Sequence, residues 1–565
     1  MQLGISNVSK SGPIAVQRLR LIGALFLVFT AAPLPAQTYQ DLYDFNCSTG
    51  GCFAQDSGPL TQGADGNLYG TTQAGGNSGV GTIFMFNPST STHTDLVSFD
   101  GVTAANPVTG LTLASDGNFY GTTYYTTFQH GGFGTVFRFN PPSASLPNGK
   151  LTILHIFNGT DGILPSNPPV QGKDGNLYGV TELGTTYRVA LSSGKFHQLP
   201  NNPGEYGAPL YLASDGNLYG TTPFCGEFSD GCIFQMTTPG GAITVIHSFS
   251  GADGKDPDGG VVQERDGNLY GSTYAGGTND NGVVFQYVMT GPMKGTLNVI
   301  HSFDQSYDGA YPDAGLLAAS DGFLYGVNMD GGAYGNGTLF QITTTGALNK
   351  YVDFTNTGGA APGQAPTATL MQSTAGALYG VTSFGGANNR GVLYSFTPPN
   401  PLLPTLIIEG PIFVLPGVPV VILGNNLGEA VNVTFGDVPA SFTPGSNTYL
   451  TALVPSAAVD GPITVTLTNP LGQQETLQSQ QNLHIVPIIT NLDPTSGPVG
   501  QEVGIVGGGF VGATKVTFGG VKATKFTVGS PSFIQTYVPV GAKTGKVSVT
   551  TPNGTVVSKQ TFTVN

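Results

Sequence analysis

Two types of side chain in this 565-residue sequence recur at fixed places and could carry out chemistry. Aspartate opens a six-residue segment, Asp-Gly-Asn-Leu-Tyr-Gly in its commonest form, at Asp65, Asp116, Asp174, Asp215, Asp266 and Asp321. Histidine precedes an apolar residue by two positions at His155, His197, His247 and His301. Because carboxylates and imidazoles act as general acids, general bases and metal ligands, both sets are candidates for catalysis or metal binding.

The repetition itself favours a structural role for both sets. An aspartate followed by Gly-Asn is typical of a hairpin turn, where the carboxylate caps the turn backbone. Residues at i and i+2 share a strand face, so each histidine is expected beside the apolar residue of its own strand. Packed sheets lie about 10 Å apart, whereas zinc–nitrogen bonds need about 2.0–2.1 Å, so the four histidines do not form one metal site.

Five other aspartates are the remaining metal candidates, namely Asp253, Asp256, Asp258, Asp308 and Asp313. The stretch from Asp253 to Asp258 has the outline of a calcium loop, but Lys255 breaks the D-x-[DN]-x-[DN]-G spacing. Calcium therefore stays a weak hypothesis, and no other cofactor is predicted. The sequence contains no G-x-S-x-G, phosphate-binding or H-E-x-x-H motif, and we assign no catalytic residue.

Aromatic residues form the third candidate set, and they interrupt the repeat rather than follow it. They fall in the segments expected to link the second and third strands of each repeat unit: Tyr124, Tyr125, Phe128, Phe224, Phe228, Tyr274, Tyr334 and Phe384. Such loops gather on one face of a ring of sheets, where the side chains could stack on a sugar or contact a protein. The alternative is that they pack within their own loops.

The elements that must position these residues form an all-β architecture. Glycine and proline are abundant, at 85 and 40 residues, while charged residues make up 9%, against roughly 25% in an average domain. The glycine-rich segment occurs seven times, the last as Ala375–Gly380, and each unit can be divided into four short strands. This pattern predicts a seven-bladed β-propeller over residues 37–397. Tyr39–Phe45 is expected to supply the strand that the seventh unit lacks.

The repeated pattern, DGNLYGTT followed by GG and GxGTVF, resembles the GloVer tandem repeat of bacterial choice-of-anchor proteins over roughly residues 40–397. The resemblance implies an exported, surface-associated bacterial protein with no established enzymatic activity. This sequence departs from that pattern because no sorting anchor follows at its C-terminal end.

After a proline-rich linker at residues 398–404, two further domains are predicted. Residues 487–565 resemble an IPT/TIG immunoglobulin-like domain, with Pro487–Gly500, Val516–Gly520 and Thr544–Val549 carrying the likeness. Residues 405–486 resemble the same family more distantly, through Val433–Gly436 and Asp460–Val465. Alternating strands with turn glycines fit two β-sandwiches, which would serve as spacer or adhesion modules.

The N-terminal residues 1–36 are predicted to be a signal peptide, since basic residues precede the short apolar run Leu21–Thr30. No transmembrane anchor is expected after its cleavage. In an exported chain the close pairs Cys47/Cys52 and Cys225/Cys232 predict two local disulfides. The net charge of −14 disfavours nucleic-acid partners.

These observations predict a secreted or cell-surface binding or scaffold protein that recognises an extracellular glycan or protein, with the periplasm as an alternative location. Two other functions stay open. One is an extracellular carbohydrate-active enzyme, a propeller glycosidase or lyase, which would need an asymmetric group of carboxylates near the central channel. The other is a purely structural surface protein.

Overall fold

The computed structural model describes residues 38–48, 50–53, 59–126, 132–200, 204–205, 207–468 and 472–565. The predicted signal peptide lies outside these residues. Among the described residues the regular elements are β-strands and one short 3-10 helix, Leu427–Glu429. The all-β class predicted from composition and repetition is therefore confirmed.

The repeat region forms seven four-stranded antiparallel sheets among the described residues, numbered here in chain order. Sheet 1 contains Thr61–Gln62, Leu68–Thr72, Thr82–Asn87 and Thr92–Ser98. Sheet 2 contains Thr112–Leu113, Phe119–Thr123, Thr135–Asn140 and Lys150–Ile156. Sheet 3 contains Val170–Gln171, Leu177–Val180, Thr186–Val189 and Phe196–Gln198. Sheet 4 contains Tyr211–Leu212, Leu218–Thr222, Cys232–Met236 and Ile243–Ser248.

The last three sheets follow the same order. Sheet 5 contains Val261–Gln263, Leu269–Thr273, Val283–Tyr287 and Leu297–Ser302. Sheet 6 contains Leu317–Ala318, Leu324–Asn328, Thr338–Ile342 and Leu348–Asp353. Sheet 7 contains Met371–Gln372, Leu378–Val381 and Val392–Thr397, and its fourth strand is Thr38–Asp44 from the beginning of the described chain. A short pair, Gly51–Cys52 with Ala74–Gly75, stands beside sheet 1.

The two ends of the repeat region meet in sheet 7. Thr38 pairs with Thr397 and Asp44 with Val392, in antiparallel register. Phe45, which directly follows this strand, is fully buried in a cluster of side chains from sheets 1 and 7. The prediction that the first strand completes the last unit is therefore confirmed.

Buried side chains hold the sheets in a closed ring. One apolar cluster lies between each consecutive pair of sheets from 1 to 7, and a further cluster joins sheet 7 to sheet 1. The last glycine of the repeated segment makes this packing possible. At Gly271, for example, a Cβ atom would come within 2.5 Å of Phe285 Cζ, so the phenylalanine ring of the third strand requires glycine opposite it.

Two β-sandwich domains complete the chain. The first sandwich domain consists of one sheet with Ile407–Ile408, Pro419–Leu423, Tyr449–Leu453 and Phe442–Pro444, a second with Val438–Pro439, Ala430–Phe435, Ile463–Thr468 and Gln474–Gln478, and the pair Phe413–Val414 with His484–Ile485. The second sandwich domain has one sheet with Ile488–Asp493, Glu502–Gly508, Phe533–Tyr537 and Phe526–Ser530, and another with Ser496–Gly497, Gly554–Val564, Gly545–Thr551, Lys515–Phe518 and Val521–Lys522. Each domain has its own apolar core between its sheets.

The predicted linker at residues 398–404 packs against the ring. Leu402 is buried in the cluster between sheets 6 and 7, and Ser320 Oγ donates to the Leu403 carbonyl oxygen at 3.4 Å. This segment therefore fixes the first sandwich domain close to the ring.

Candidate functional site

The repeated aspartates hold their hairpins together. In sheet 5, Asp266 Oδ1 accepts the Asn268 backbone N–H at 2.9 Å, and Asp266 Oδ2 accepts the Tyr270 hydroxyl at 2.7 Å. The same aspartate–tyrosine hydrogen bond occurs after Asp65, Asp116, Asp174, Asp215 and Asp321. These carboxylates are engaged in turn and strand contacts, as the sequence pattern predicts.

The histidines of the fourth strands are also engaged within their own sheets. His155, His247 and His301 each place Nε2 within 2.7–3.0 Å of a carboxylate oxygen of Asp161, Asp253 and Asp308. Each ring also lies edge-on to the phenylalanine two residues later, at 4.9–5.0 Å between centroids. Two of the five candidate metal-binding aspartates, Asp253 and Asp308, are thus hydrogen-bond partners of histidines.

The ring has two different faces. The hairpins between first and second strands, which contain the repeated aspartates, lie on one end of the ring, called here the hairpin face. The loops between second and third strands lie on the other end, the loop face. There they pair with the connections that enter each sheet, as in the bridges Ala105 with Tyr125 and Lys255 with Ala275.

The first sandwich domain covers the hairpin face. Thr448 Oγ1 donates to the Ala64 carbonyl oxygen at 2.6 Å, and the Thr405 N–H donates to the Thr374 carbonyl oxygen at 3.1 Å. Gln480 Nε2 donates to Gln372 Oε1 at 2.5 Å. The loop face makes no such contact among the described residues.

Most of the predicted aromatic residues are exposed on the loop face. The exposed fractions are 46% for Tyr125, 56% for Phe224, 56% for Phe228, 64% for Tyr334 and 37% for Phe384. Phe228 belongs to the loop closed by the disulfide Cys225–Cys232, whose Cα atoms are 5.5 Å apart, and Phe224 directly precedes that loop. Cys47 and Cys52 form the second disulfide. Both predicted disulfides are confirmed, and one of them constrains an aromatic loop.

Two predicted aromatics make side-chain contacts with a neighbouring segment of the loop face. Tyr124 donates its hydroxyl to Glu182 Oε1 at 2.7 Å, which links the loops of sheets 2 and 3. Tyr274 stacks on Tyr311, with ring centroids 4.9 Å apart and planes 21° from parallel. Within its own loop Tyr124 also contacts Tyr125, with ring centroids 4.6 Å apart. Phe384, like Tyr274, instead contacts a ring of an entering connection, Phe53 at 5.9 Å between centroids. The predicted residue Phe128 lies outside the described residues.

A left-handed backbone position recurs where the chain crosses the loop face. Phe53, Asn106, Leu164, Asp256, Tyr311 and Ala365 all have φ between 51° and 59°. The carbonyl oxygen of each accepts a hydrogen bond from a backbone N–H of the neighbouring loop, as the Asp256 carbonyl does from the Tyr274 N–H at 2.8 Å. Non-glycine residues in this region cost about 1–2 kcal/mol each. The backbone conformation at this position is thus the same in six sheets, while the side chain differs in every one. These six positions, called here the variable rim, therefore change the surface of the loop face without changing its backbone.

Acidic residues concentrate where sheets 5 and 6 reach the loop face. The pKa of Asp258 is raised to about 8, chiefly by burial and in addition by the charges of Asp313 and Asp256. Burial together with Asp313, Tyr311 and Asp258 also raises the pKa of Tyr274. The positions equivalent to Asp258 and Asp313 are Val108, Ser166 and Thr367 in sheets 2, 3 and 7. This carboxylate pair therefore breaks the symmetry of the ring.

The metal hypothesis gains no geometric support from this cluster. Among the described residues no group of three or more His, Cys, Asp or Glu side chains is arranged to hold a metal ion. A carboxyl group with a pKa near 8 is largely protonated at pH 7 and can donate a hydrogen bond. Asp258 can thus contribute to binding hydroxyl groups beside the tyrosine pair.

Three loop-face residues were not anticipated from the sequence. Tyr311 and Glu182 contact predicted aromatics, and Tyr307 is 72% exposed in the connection that enters sheet 6. Tyr311 and Asp256 both directly precede a proline that lies nine residues before the repeated aspartate. Aligning the units on that proline would have revealed the variable rim.

A closed ring of small antiparallel sheets, with one variable loop face and two appended immunoglobulin-like domains, defines a propeller-like repeat protein. Residues 23–192 and 205–407 match the Gloeobacter/Verrucomicrobia repeat, and residues 411–484 and 487–564 each match an IPT/TIG domain. Because the repeat covers more than half of the chain, the protein belongs to the Gloeobacter/Verrucomicrobia repeat family. The resemblances drawn from the sequence are confirmed.

Solved structures of distant similarity include two enzymes. A fungal alcohol oxidase of the AA5 family, in complex with copper, shares 14% identity at a TM-score of 0.44, over 75% of this chain and 98% of its own. Oligogalacturonate lyase from Vibrio parahaemolyticus shares 10% identity at a TM-score of 0.40, over 64% of this chain and 96% of its own. Similarity this low carries no argument about activity. No curated protein matches the sequence.

Among the described residues, no helix is both long and apolar enough to cross a membrane.

Proposed function

We propose that the chain is an exported surface protein that binds an extracellular glycan through its loop face. The observation that carries this proposal is the set of five exposed aromatic side chains in the loops between second and third strands. Water-exposed aromatics on one face are typical of surfaces that bind a partner, because flat rings stack on sugar rings or bury apolar area. The opposite face is already occupied by the first sandwich domain.

Polar groups beside these aromatics favour a glycan over a flat protein surface. Asp258, with a pKa raised to about 8 by burial, offers a neutral carboxyl group, and Asp313 lies near enough for its charge to act on it. Tyr274 and Tyr311 add two stacked rings at the same place. Hydroxyl groups of a sugar can both donate to and accept from such a set. The two IPT/TIG domains would then serve as spacers or adhesion modules.

A glycan array probed with the full chain tests this function. We expect binding to a restricted set of glycans, and a loss of at least about tenfold in affinity when Phe224 and Tyr334 are both replaced by alanine. Phe533→Ala is the matched control, because Phe533 is 39% exposed but lies in the second sandwich domain. Binding to an extracellular protein instead of any glycan would identify the other partner class. Equal binding by the double variant and the control would refute the loop-face site.

One observation favours a second function, glycoside cleavage. Glycosidases use two carboxyl groups, one of which is kept protonated by its surroundings, and Asp258 with its raised pKa lies beside Asp313. If the pair is catalytic, Asp258→Asn abolishes glycan cleavage while leaving glycan binding in place. If the pair only binds, the wild-type chain releases no sugar from any glycan that it retains on the array.

A further inference from the structure

A second candidate site lies on the opposite side of the ring from the loop face. Where the hairpins of sheets 5 and 6 meet the first sandwich domain, the structure forms a partly open cavity of about 500 Å³. Glu264 and Arg265 line it from the ring, and Gln480, Gln481 and His484 line it from the sandwich. Cavities that hold small ligands measure about 300–1,000 Å³. This cavity is therefore large enough for a ligand.

Glu264 is a buried carboxylate with an incomplete set of partners. The residue is 7% exposed. Its Oε2 atom accepts the Arg265 backbone N–H at 3.1 Å, while Oε1 has no hydrogen-bond partner. Burial raises the pKa of Glu264 to about 6, so the group is largely ionised at pH 7. A buried anionic oxygen without a donor is unfavourable, and a ligand hydroxyl could supply that donor.

The fold does not require a glutamate at this position. The equivalent residue, two before the repeated aspartate or its replacement, is small in every other repeat: Gly63, Ala114, Gly172, Ala213, Ala319 and Ser373. All of these residues form the same hairpin. The backbone N–H of each donates to the carbonyl oxygen of the residue four places later, as it does in Ala213 and in Glu264. Glu264 is thus an exception to the repeat, and it occurs at the wall of a cavity.

The cavity continues inward along the axis of the ring. A second cavity of about 430 Å³ shares Tyr211, Leu316 and Ile412 with the first. Its wall consists largely of apolar side chains from the innermost strands and the first sandwich domain, including Leu60, Leu210, Val261, Leu370, Leu406 and Ile407. The two cavities together have a polar end at Glu264 and an apolar interior.

We propose that this composite cavity binds an uncharged amphiphile, whose hydroxyl-bearing head group donates to Glu264 and whose apolar chain lies along the innermost strands. A hydroxylated head fits better than an ammonium group because Arg265 already provides a positive charge beside the carboxylate. The amide groups of Gln480, Gln481 and Asn482 at the same end can bind further hydroxyls. The site is independent of the proposed loop-face function.

Calorimetric titration of the full chain with alkyl glucosides and alkyl maltosides, kept below their micelle concentrations, tests the proposal. Methyl, butyl, hexyl and octyl chains should bind progressively more tightly, by about fourfold per buried methylene. Glu264→Ala should weaken every member of the series by at least about tenfold, with an unchanged dependence on chain length. Phe533→Ala, an exposed position in the second sandwich domain and outside both proposed sites, should leave the whole series unchanged.

The alanine variant is well matched, because sheets 2, 4 and 6 carry alanine at this position. Its melting temperature, measured beside the titrations, should be no lower than that of the wild type, so weak binding cannot be attributed to unfolding. Absence of binding by both series, affinity that does not rise with chain length, or equal affinity of the wild type and Glu264→Ala would each overturn the proposal.

Discussion

Glu409 provides a test of how the first sandwich domain is attached to the ring. The side chain is 5% exposed and lies beside the hairpin of sheet 2. Burial raises the pKa of Glu409 from 4.5 to about 7, and the charge of Asp116 adds to the effect. Replacing it by glutamine keeps its size and removes its charge.

The size of the effect follows from the shifted pKa. One pKa unit corresponds to about 1.4 kcal/mol, so a rise from 4.5 to about 7 costs up to about 3 kcal/mol once the group is ionised. Because the pKa is higher in the folded chain than in the unfolded one, stability falls as pH rises from about 4.5 to 7 and then levels off. Glu409→Gln should therefore stabilise the chain at pH 8 by up to about 3 kcal/mol and have little effect at pH 4.

Urea denaturation of the full chain at both pH values measures this difference. Glu475→Gln is the control, because Glu475 is an exposed glutamate of the same domain, and its replacement should change stability by less than about 0.5 kcal/mol. A Glu409→Gln variant that is less stable than wild type at pH 8, or whose effect is the same at pH 4 and pH 8, would show that burial of an ionised Glu409 does not destabilise the chain.

Three further predictions concern the ring. Deleting residues 38–46 exposes the edge of Val392–Thr397 and empties the site of Phe45, so the melting temperature should fall by at least about 10 °C; an unchanged value would contradict closure. Tyr270→Phe removes the hydrogen bond to Asp266 and should cost about 1.5–3 kcal/mol in denaturant titration. Tyr379→Phe is its control, because Ala375 replaces the aspartate there, and equal costs would count against the carboxylate. Replacing both cysteines of the disulfide in sheet 4 by serine should increase hydrogen exchange in the loop they close, and unaltered exchange would mean that the disulfide does not constrain it.

The repeat made much of the ring predictable. Asp-Gly-Asn carries its own turn chemistry, so the hairpins and the capping role of Asp266 followed from local sequence. The pairing of Tyr39 with Phe396 spans almost the whole ring, yet it could be anticipated because the seventh unit lacked a strand. In both cases the information lies in a short pattern.

Contacts between different units, and between the ring and the first sandwich domain, could not be predicted in this way. The stacking of Tyr274 on Tyr311 joins two loops whose register depends on a left-handed residue before a proline. The position of the first sandwich domain over the hairpin face depends on many weak polar contacts, such as Thr448 with Ala64. Glu264 differs from the small residues of the other repeats, but its place in a cavity could not be predicted, because the first sandwich domain forms the opposite wall of that cavity.

Binding of a glycan at the loop face is the central claim, and hydrogen–deuterium exchange with a glycan selected on the array tests it most directly. The account predicts that the ligand slows exchange in the loops around Tyr125, Phe224, Tyr274, Tyr334 and Phe384. It predicts no change in the second sandwich domain. Protection confined to the hairpin face or to the sandwich domains, with the five loops unaffected, would contradict it.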